Sequence, residues 1–298
     1  MNPKDHQFGG TWTERKLEVL IKYLETYQTA LQNQPFRKEY IDAFAGSGSR
    51  GAAVANDGQL HRQDLFDELL QEESRSFRDG STRLALEIEQ PFDRYTFIEK
   101  NPARFRELEQ MRQEYPDLKN RIQVIQADAN PAIQELCAED WANRRAVLFL
   151  DPYGMQVDWA TVEAVAATRA IDLWLLFPLG MAVNRMLPNR GRVPDTWRAK
   201  LDAFLGDSNW YDALSAQAHV QKNLFGEGQS VRAKRGIDAI WPFSQKRLES
   251  IFPAVAPNPG ALMNSVNCPL YLLCFAAGNE AGGRVALPIA RHLLRGLE

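Results

Sequence analysis

The sequence predicts an α/β fold: one doubly wound, mostly parallel sheet with helical insertions, in a single domain over 1–298. Three observations predict it. Short apolar runs alternate with helical patterns from residue 39 to residue 177. A glycine-rich stretch follows the first of these runs directly. Acidic residues stand at the ends of the first three runs. Such β-α-β alternation implies parallel strands with helices on both faces and right-handed crossovers. Ligands bind such sheets at the carboxyl ends of the strands, so the residues just after each strand matter most.

In chain order, Leu17, Leu20, Ile21, Leu24 and Leu31 have helical spacing over 13–32. Glu39–Phe44 reads as the first strand, followed by the glycine loop. Ser81 is the expected N-cap of the next helix. Tyr95–Glu99, Ile122–Gln126, Ala146–Leu150 and Ile171–Phe177 read as strands. Pro102–Glu114, Pro131–Trp141 and Trp159–Ala167 read as the helices between them. Pro269–Ala276 is expected to be a buried strand and Val285–Leu294 a closing helix.

Two segments interrupt the rhythm. Residues 49–79 leave the glycine loop and carry a short acidic helix with Leu65, Phe66, Leu69 and Leu70 on one face. Its expected role is a lid or a docking surface; a passive surface insertion is the alternative. Residues 183–250 contain helical patterns at Thr196–Phe204 and Val231–Ile251.

The bulk composition bounds the function classes. With 298 residues, 45% hydrophobic, the chain can bury a full core, and disorder is excluded over most of it. Three cysteines, Cys137, Cys268 and Cys274, have no zinc spacing and form no closed disulfide framework. The histidines have neither metal nor triad spacing, so no metal site is expected. The N-terminus lacks a signal-peptide core, and no apolar stretch is long enough to span a bilayer. No membrane association is expected, and the chain reads as soluble and cytoplasmic.

Asp42-Ala-Phe44-Ala-Gly46-Ser-Gly48 carries the first chemistry. Glycines let the backbone turn sharply and approach a ligand closely. Gly46, Gly48 and Gly51 have G-x-G-x-x-G spacing, the dinucleotide pattern. A carboxylate at Asp42 would repel a pyrophosphate, however, and the next acid at a strand end is Glu99, across a long insert, where the dinucleotide pattern expects one about 20 residues on. Asp42 suits a cationic ligand such as S-adenosylmethionine, with its ammonium and sulfonium. A plain strand-to-helix turn is the competing reading.

Glu99 stands where a ribose would offer its two hydroxyls. Asp128 is placed to accept from an adenine amino group. Either acid alone reads equally as a solvated or capping residue; three at consecutive strand ends after a glycine loop are far more specific. Asn101 reads as a helix cap. Asp151-Pro152-Tyr153-Gly154 follows the fourth strand. Pro152 stiffens the turn, Asp151 and the Pro152 carbonyl accept hydrogen bonds, and Tyr153 offers a ring for stacking. That set holds a planar exocyclic amine, orients its lone pair and stabilises charge developing on nitrogen. The same tetrapeptide also occurs as a bland turn.

These motifs resemble those of class I, Rossmann-like, S-adenosylmethionine-dependent methyltransferases. Asp-Pro-Tyr-Gly is similar to the Asp-Pro-Pro-Tyr of DNA amino-methyltransferases, though it lacks the second proline, and to the Asp-Pro-Phe-Gly of guanine-N2 tRNA methyltransferases. Nearly all of 12–295 resembles the bacterial three-Cys-motif partner family. The resemblance rests on Lys16 with Tyr23, Tyr40–Gly48, Gly80-Ser81 before Ala85-Leu86, Phe97–Arg104, Leu150–Gly154 and Pro269–Leu273. It departs at the insert 49–79. It implies S-adenosylmethionine as cofactor and a three-cysteine protein as partner, and settles no substrate.

Residues 185–235 hold nine basic side chains against five acidic ones, in a chain of formal charge −3. Trp197, Trp210 and Tyr211 are interleaved with them. Basic groups neutralise phosphates and aromatic rings stack on bases; a solvated surface with packed tryptophans is the bland alternative. Three readings follow: a methyltransferase acting on an exocyclic amine of a nucleic acid base, a non-catalytic methyltransferase-like module serving a partner protein, and an NAD(P)-binding oxidoreductase. Asp151–Gly154 argues against the last.

Overall fold

The apolar runs around 40, 97, 148 and 174 lie side by side at the centre of a computed structural model. It describes residues 11–46, 80–187, 193–218, 231–234, 239–263 and 269–297. In chain order the first elements are α1 (Thr11–Ala30), β1 (Arg37–Asp42), α2 (80–86), β2 (Arg94–Ile98), α3 (Pro102–Glu114) and β3 (Ile122–Ile125). Next come α4 (Ala129–Cys137), β4 (Arg144–Leu150), α5 (Trp159–Ala167) and β5 (Ile171–Phe177). The second half adds α6 (Asn184–Met186), α7 (Asp195–Leu205), α8 (Trp210–Leu214), β6 (Ser215–Ala218), β7 (Val231–Lys234) and α9 (Ile240–Glu249). The chain closes with β8 (Ala254–Val255), β9 (Gly260–Met263), β10 (Pro269–Ala277) and α10 (Glu280–Arg295).

The main sheet runs β3-β2-β1-β4-β5-β10-β8, with β9 also on β10. The first five strands are parallel, and β10 returns antiparallel to β5, Leu272 opposite Phe177. This is the doubly wound order expected from the alternation, extended by an antiparallel edge. The strand order reverses between β1 and β4, which opens the ligand crevice at their carboxyl ends.

Alternation along each strand sends neighbouring residues to opposite faces. Ile41, Leu148, Leu173 and Leu175 face one core, roofed by α4, α5, α7 and α9. Tyr40, Val147, Phe149, Trp174, Tyr271 and Phe275 face the other, roofed by α1, α2, α3 and α10. Burial on both faces explains why these strands read as continuous apolar runs.

Three expectations shift. β1 ends at Asp42, two residues before Phe44, because the Asp42 Oδ1 accepts from the Phe44 N–H (3.2 Å) and turns the chain. α4 starts at Ala129, since Asp128 caps it and Pro131 sits in the first turn, where an N–H has no helical partner. The helix expected over Val231–Ile251 is two elements. β7 pairs antiparallel with β6 in a two-stranded hairpin, and α9 begins only at Ile240. The insert 49–79 lies outside the described residues.

Candidate active site

The carboxyl ends of β1, β2 and β3 meet at a cavity of about 490 Å³. Phe44 from the glycine loop, Glu99 after β2 and Asp128 after β3 all line it. Lys100, Arg104 and Gln156 complete its polar rim.

Glu99 is 7% exposed and held on both oxygens. Its Oε2 accepts from Gly46 N (3.2 Å) and its Oε1 from Asn101 N (2.7 Å); the Arg104 guanidinium lies 3.7 Å away. Glu99 thereby ties the glycine loop to the end of β2. Gly46 sits at φ 66°, a left-handed conformation that a Cβ would strain. Asn101 caps α3 through Ala103 N and Arg104 N, as expected.

Asp128 combines two roles. Its Oδ1 accepts from Asn130 N (3.1 Å) as the cap of α4, and its Oδ2 takes Lys100 Nζ at 2.9 Å. The Lys100 hydrogen bond holds its carboxyl below the usual range, so it is an anion at neutral pH. Helix capping and a ligand role are compatible, because the carboxylate also faces the cavity.

Asp42 is fully buried and does not line that cavity. Its Oδ2 accepts from the Ser81 hydroxyl at 2.7 Å, so Ser81 ties α2 to the end of β1. Gly48 lies outside the described residues.

Asp151, one residue past β4, is 4% exposed. Its Oδ2 takes the Nζ of Lys16 at 3.2 Å, and that ammonium is itself 1% exposed and 6.0 Å from the Phe149 ring centroid. Tyr40 lies beside the same cluster: burial, then the Asp42 and Asp151 charges, push its hydroxyl well above its usual pKa. Asp42, Asp151 and Lys16 thus form a buried charged group on the α1 side of the sheet. Two carboxylates on adjacent strands with an ammonium between helix and sheet make a strongly polarised floor to the crevice.

Lys16 entered the sequence reading only through the family resemblance. Nothing local marks it as the partner of a residue 135 positions away. Its position among Leu17, Leu20 and Leu24 was the available signal, since a charged residue beside the apolar face of a helix needs a partner when buried.

Pro152 is buried and Tyr153 half-buried, and neither lines the 490 Å³ cavity. The turn is joined to it instead by Gln156, whose Oε1 accepts from Tyr153 N (2.8 Å) and which lines the cavity. Asn130 locks the same loop to α4: its Nδ2 donates to Gln156 O (2.8 Å), and its Oδ1 accepts from Asp158 N (2.9 Å) and Thr161 Oγ1 (2.9 Å).

The basic segment divides. Arg198 is half-buried on α7, 5.6 Å over the Tyr211 ring, and Lys200 is exposed beside it. Trp197 is 40% exposed. Trp210, expected among the stacking rings, is core: it is fully buried and its Nε1 donates to Asp202 Oδ1 at 2.6 Å. The side chains of Arg185, Arg190, Arg192, Lys222, Arg232, Lys234 and Arg235 lie outside the described residues. Among the described residues no helix is long and apolar enough to cross a membrane, and no His, Cys, Asp and Glu cluster is fit for a metal.

This sheet order, with its crevice beside β1, defines a doubly wound α/β protein of the Rossmann type. No family model matches the chain, and no curated protein matches it. Solved structures do align with it. A Legionella pneumophila protein, LPL1258 of the DUF519 family, covers 81% of this chain and 93% of its own at 14% identity and TM-score 0.40. A putative S-adenosylmethionine-dependent methyltransferase of Listeria monocytogenes covers 87% and 99% at 10% identity and TM-score 0.34. The magnesium protoporphyrin IX methyltransferase of Synechocystis, solved with bound SAH, covers 75% and 84% at 14% identity and TM-score 0.31.

Proposed function

We propose that this chain is an S-adenosylmethionine-dependent methyltransferase acting on an exocyclic amine of a nucleic acid base, together with a three-cysteine partner protein. The observation that carries the reading is the convergence of Phe44, Glu99 and Asp128, from three separate strand ends, on one 490 Å³ cavity. The donor set fits the cofactor. Glu99 keeps an acceptor for a ribose diol, Asp128 an acceptor for an adenine amine, and Phe44 an apolar wall for the base. The bound cofactor supplies an electrophilic methyl group on a sulfonium.

The protein's own part is positioning and charge. Asp151 Oδ1 and the Pro152 carbonyl accept the hydrogens of the target amine, and Tyr153 stacks on its ring. Asp151 stabilises the positive charge that develops on nitrogen. The basic residues on and around α7 contact phosphates.

A second reading has its own support. The ammonium of Lys16 sits on Asp151 Oδ2, where a substrate amine would otherwise donate. A module that binds the cofactor and a partner without transfer needs no free acceptor there. Calorimetry decides the first step: the chain should bind S-adenosylmethionine and S-adenosylhomocysteine, and tight NAD binding without either would sink both readings. Methyl transfer to a nucleic acid amine, in the presence of the partner, then separates the enzyme from the module.

A further inference from the structure

The opposite end of the sheet carries a second cavity, about 310 Å³, between the end of α1 and the start of α10. It lies over the amino ends of β4 and β5, away from the carboxyl-end crevice. Its walls are mostly apolar, with Leu31, Val285, Ala286 and Ile289 among them. That is the size and lining of a small-molecule site.

Two opposite charges face this space. Asp172, near the start of β5, is 6% exposed; its Oδ2 accepts from the Tyr23 hydroxyl (2.8 Å) and its Oδ1 from Gly278 N (2.9 Å). Burial, partly offset by those two hydrogen bonds and by Arg145, pushes its carboxyl up to about 6. Arg145 comes from β4 on the same face, diagonal to Asp172, because Val147 is the register partner of Asp172. Its guanidinium stacks on Phe36 at 3.9 Å, and among the described residues its hydrogen bonds run from Nη1, to the Trp141 and Arg144 carbonyls. Among the described residues no ion pair within 4.0 Å joins Arg145 to Asp172.

A third polar group lines the cavity. Tyr27 is 7% exposed and lines the cavity, and its hydroxyl makes no hydrogen bond among the described residues. Burial first, then the Asp172 charge, hold that hydroxyl well above its usual pKa, while Arg145 acts in the opposite sense. The hydroxyl therefore feels both charges and offers a donor to a ligand in the cavity.

We propose that this cavity is a second binding site, one that takes a free apolar α-amino acid: its ammonium on Asp172, its carboxylate on Arg145 and the Tyr27 hydroxyl, its side chain among the aliphatic walls. Diagonal cross-strand positions are about 7 Å apart. With no ion pair within 4.0 Å between them, the carboxylate and the guanidinium leave room for the adjacent ammonium and carboxylate of one amino acid. A ligand with a single charge would leave one of the two facing groups without an opposite charge.

The test is titration calorimetry of the full chain with L-phenylalanine and L-leucine. At least one should bind saturably, while 3-phenylpropanoate, lacking the ammonium, and phenethylamine, lacking the carboxylate, should each bind roughly tenfold more weakly than L-phenylalanine or worse. Asp172→Asn and Arg145→Met should each weaken amino-acid binding by roughly tenfold or more. If Asp172→Asn fails to fold, Arg145→Met, at a partly exposed residue, decides alone. Glu99→Gln in the other cleft should leave the affinity unchanged. No saturable binding up to about 10 mM, a single-charge analogue that binds equally well, undiminished binding in Arg145→Met, or loss in Glu99→Gln would each overturn the proposal.

Discussion

Replacing Glu99 by alanine removes a cavity-facing acceptor and two contacts that hold the glycine loop. Cofactor affinity should fall by about 1–3 kcal/mol, measured by calorimetry. Asp151→Asn should behave differently: transfer is abolished while cofactor affinity changes little, because Asp151 lies outside the cofactor cavity. Loss of both together would make Asp151 a structural residue. Its partner gives a stability prediction. Lys16→Met strands a buried carboxylate and should cost about 3–5 kcal/mol in urea unfolding. The double variant Lys16→Met, Asp151→Asn should recover most of that, a coupling that a double-mutant cycle reads directly. Asp172 provides a pH dependence of known sign. Its carboxyl is raised from 3.8 to about 6, so the folded state binds this proton more tightly than the unfolded chain. Its contribution is complete below about pH 4 and lost as pH rises through about 6, about 3 kcal/mol in all. Unfolding at pH 4 and pH 7 should therefore show wild type losing ground to Asp172→Asn at the higher pH.

Among the elements, β4 and β5 were the most legible, because both are buried on both faces over most of their length and read as nearly unbroken apolar runs. The strand-end acids were legible because strand ends carry ligands in this topology. The β6–β7 hairpin was not, since its pairing is tertiary and its flanks are polar. Val231-Arg-Ala-Lys234 does alternate with a period of two, and that was the signal for a strand. The Lys16–Asp151 pair was hidden for a related reason: it exists only once α1 packs across β4. Trp210 reads from sequence either as a stacking ring or as a packed one, and it is core: α8 packs against α9, and the Trp210 N–H donates to Asp202 of α7. The α7 end is itself tightly specified. Gly206 has φ 67°, and a Cβ there would lie 2.0 Å from the Trp159 ring of α5. Gly206→Ala should cost about 2 kcal/mol or more, seen as a lowered thermal midpoint, from backbone strain and overpacking together.

At the scale of the whole molecule, the sheet divides the protein into two cores, and the proposed activity sits at the carboxyl ends of its parallel strands, while the proposed nucleic-acid contact belongs to the basic segment 185–235. If that segment meets nucleic acid, binding should weaken steeply with salt as counterions are released. Arg190→Ala, Arg192→Ala and Arg198→Ala together should flatten the salt slope by roughly 1 per lost phosphate contact without changing cofactor affinity. An unchanged slope, measured by fluorescence anisotropy, would return this charge to ordinary surface solvation and favour the non-catalytic reading.

Asn130 has a consequence in time as well as in space. One side chain joins the first turn of α4, which carries the Asp128 cap, to the loop 151–158, which carries Asp151 and Tyr153. The loop cannot open at Asp158 without breaking that side chain's grip on the helix. A molecule seated against Asp128 therefore acts as a latch on a loop it need not touch. The Asp158 amide should exchange its hydrogen more slowly when S-adenosylhomocysteine is bound. In Asn130→Ala the same amide should exchange quickly and respond little to the ligand, because the occupied pocket would no longer be mechanically joined to the Asp151 turn.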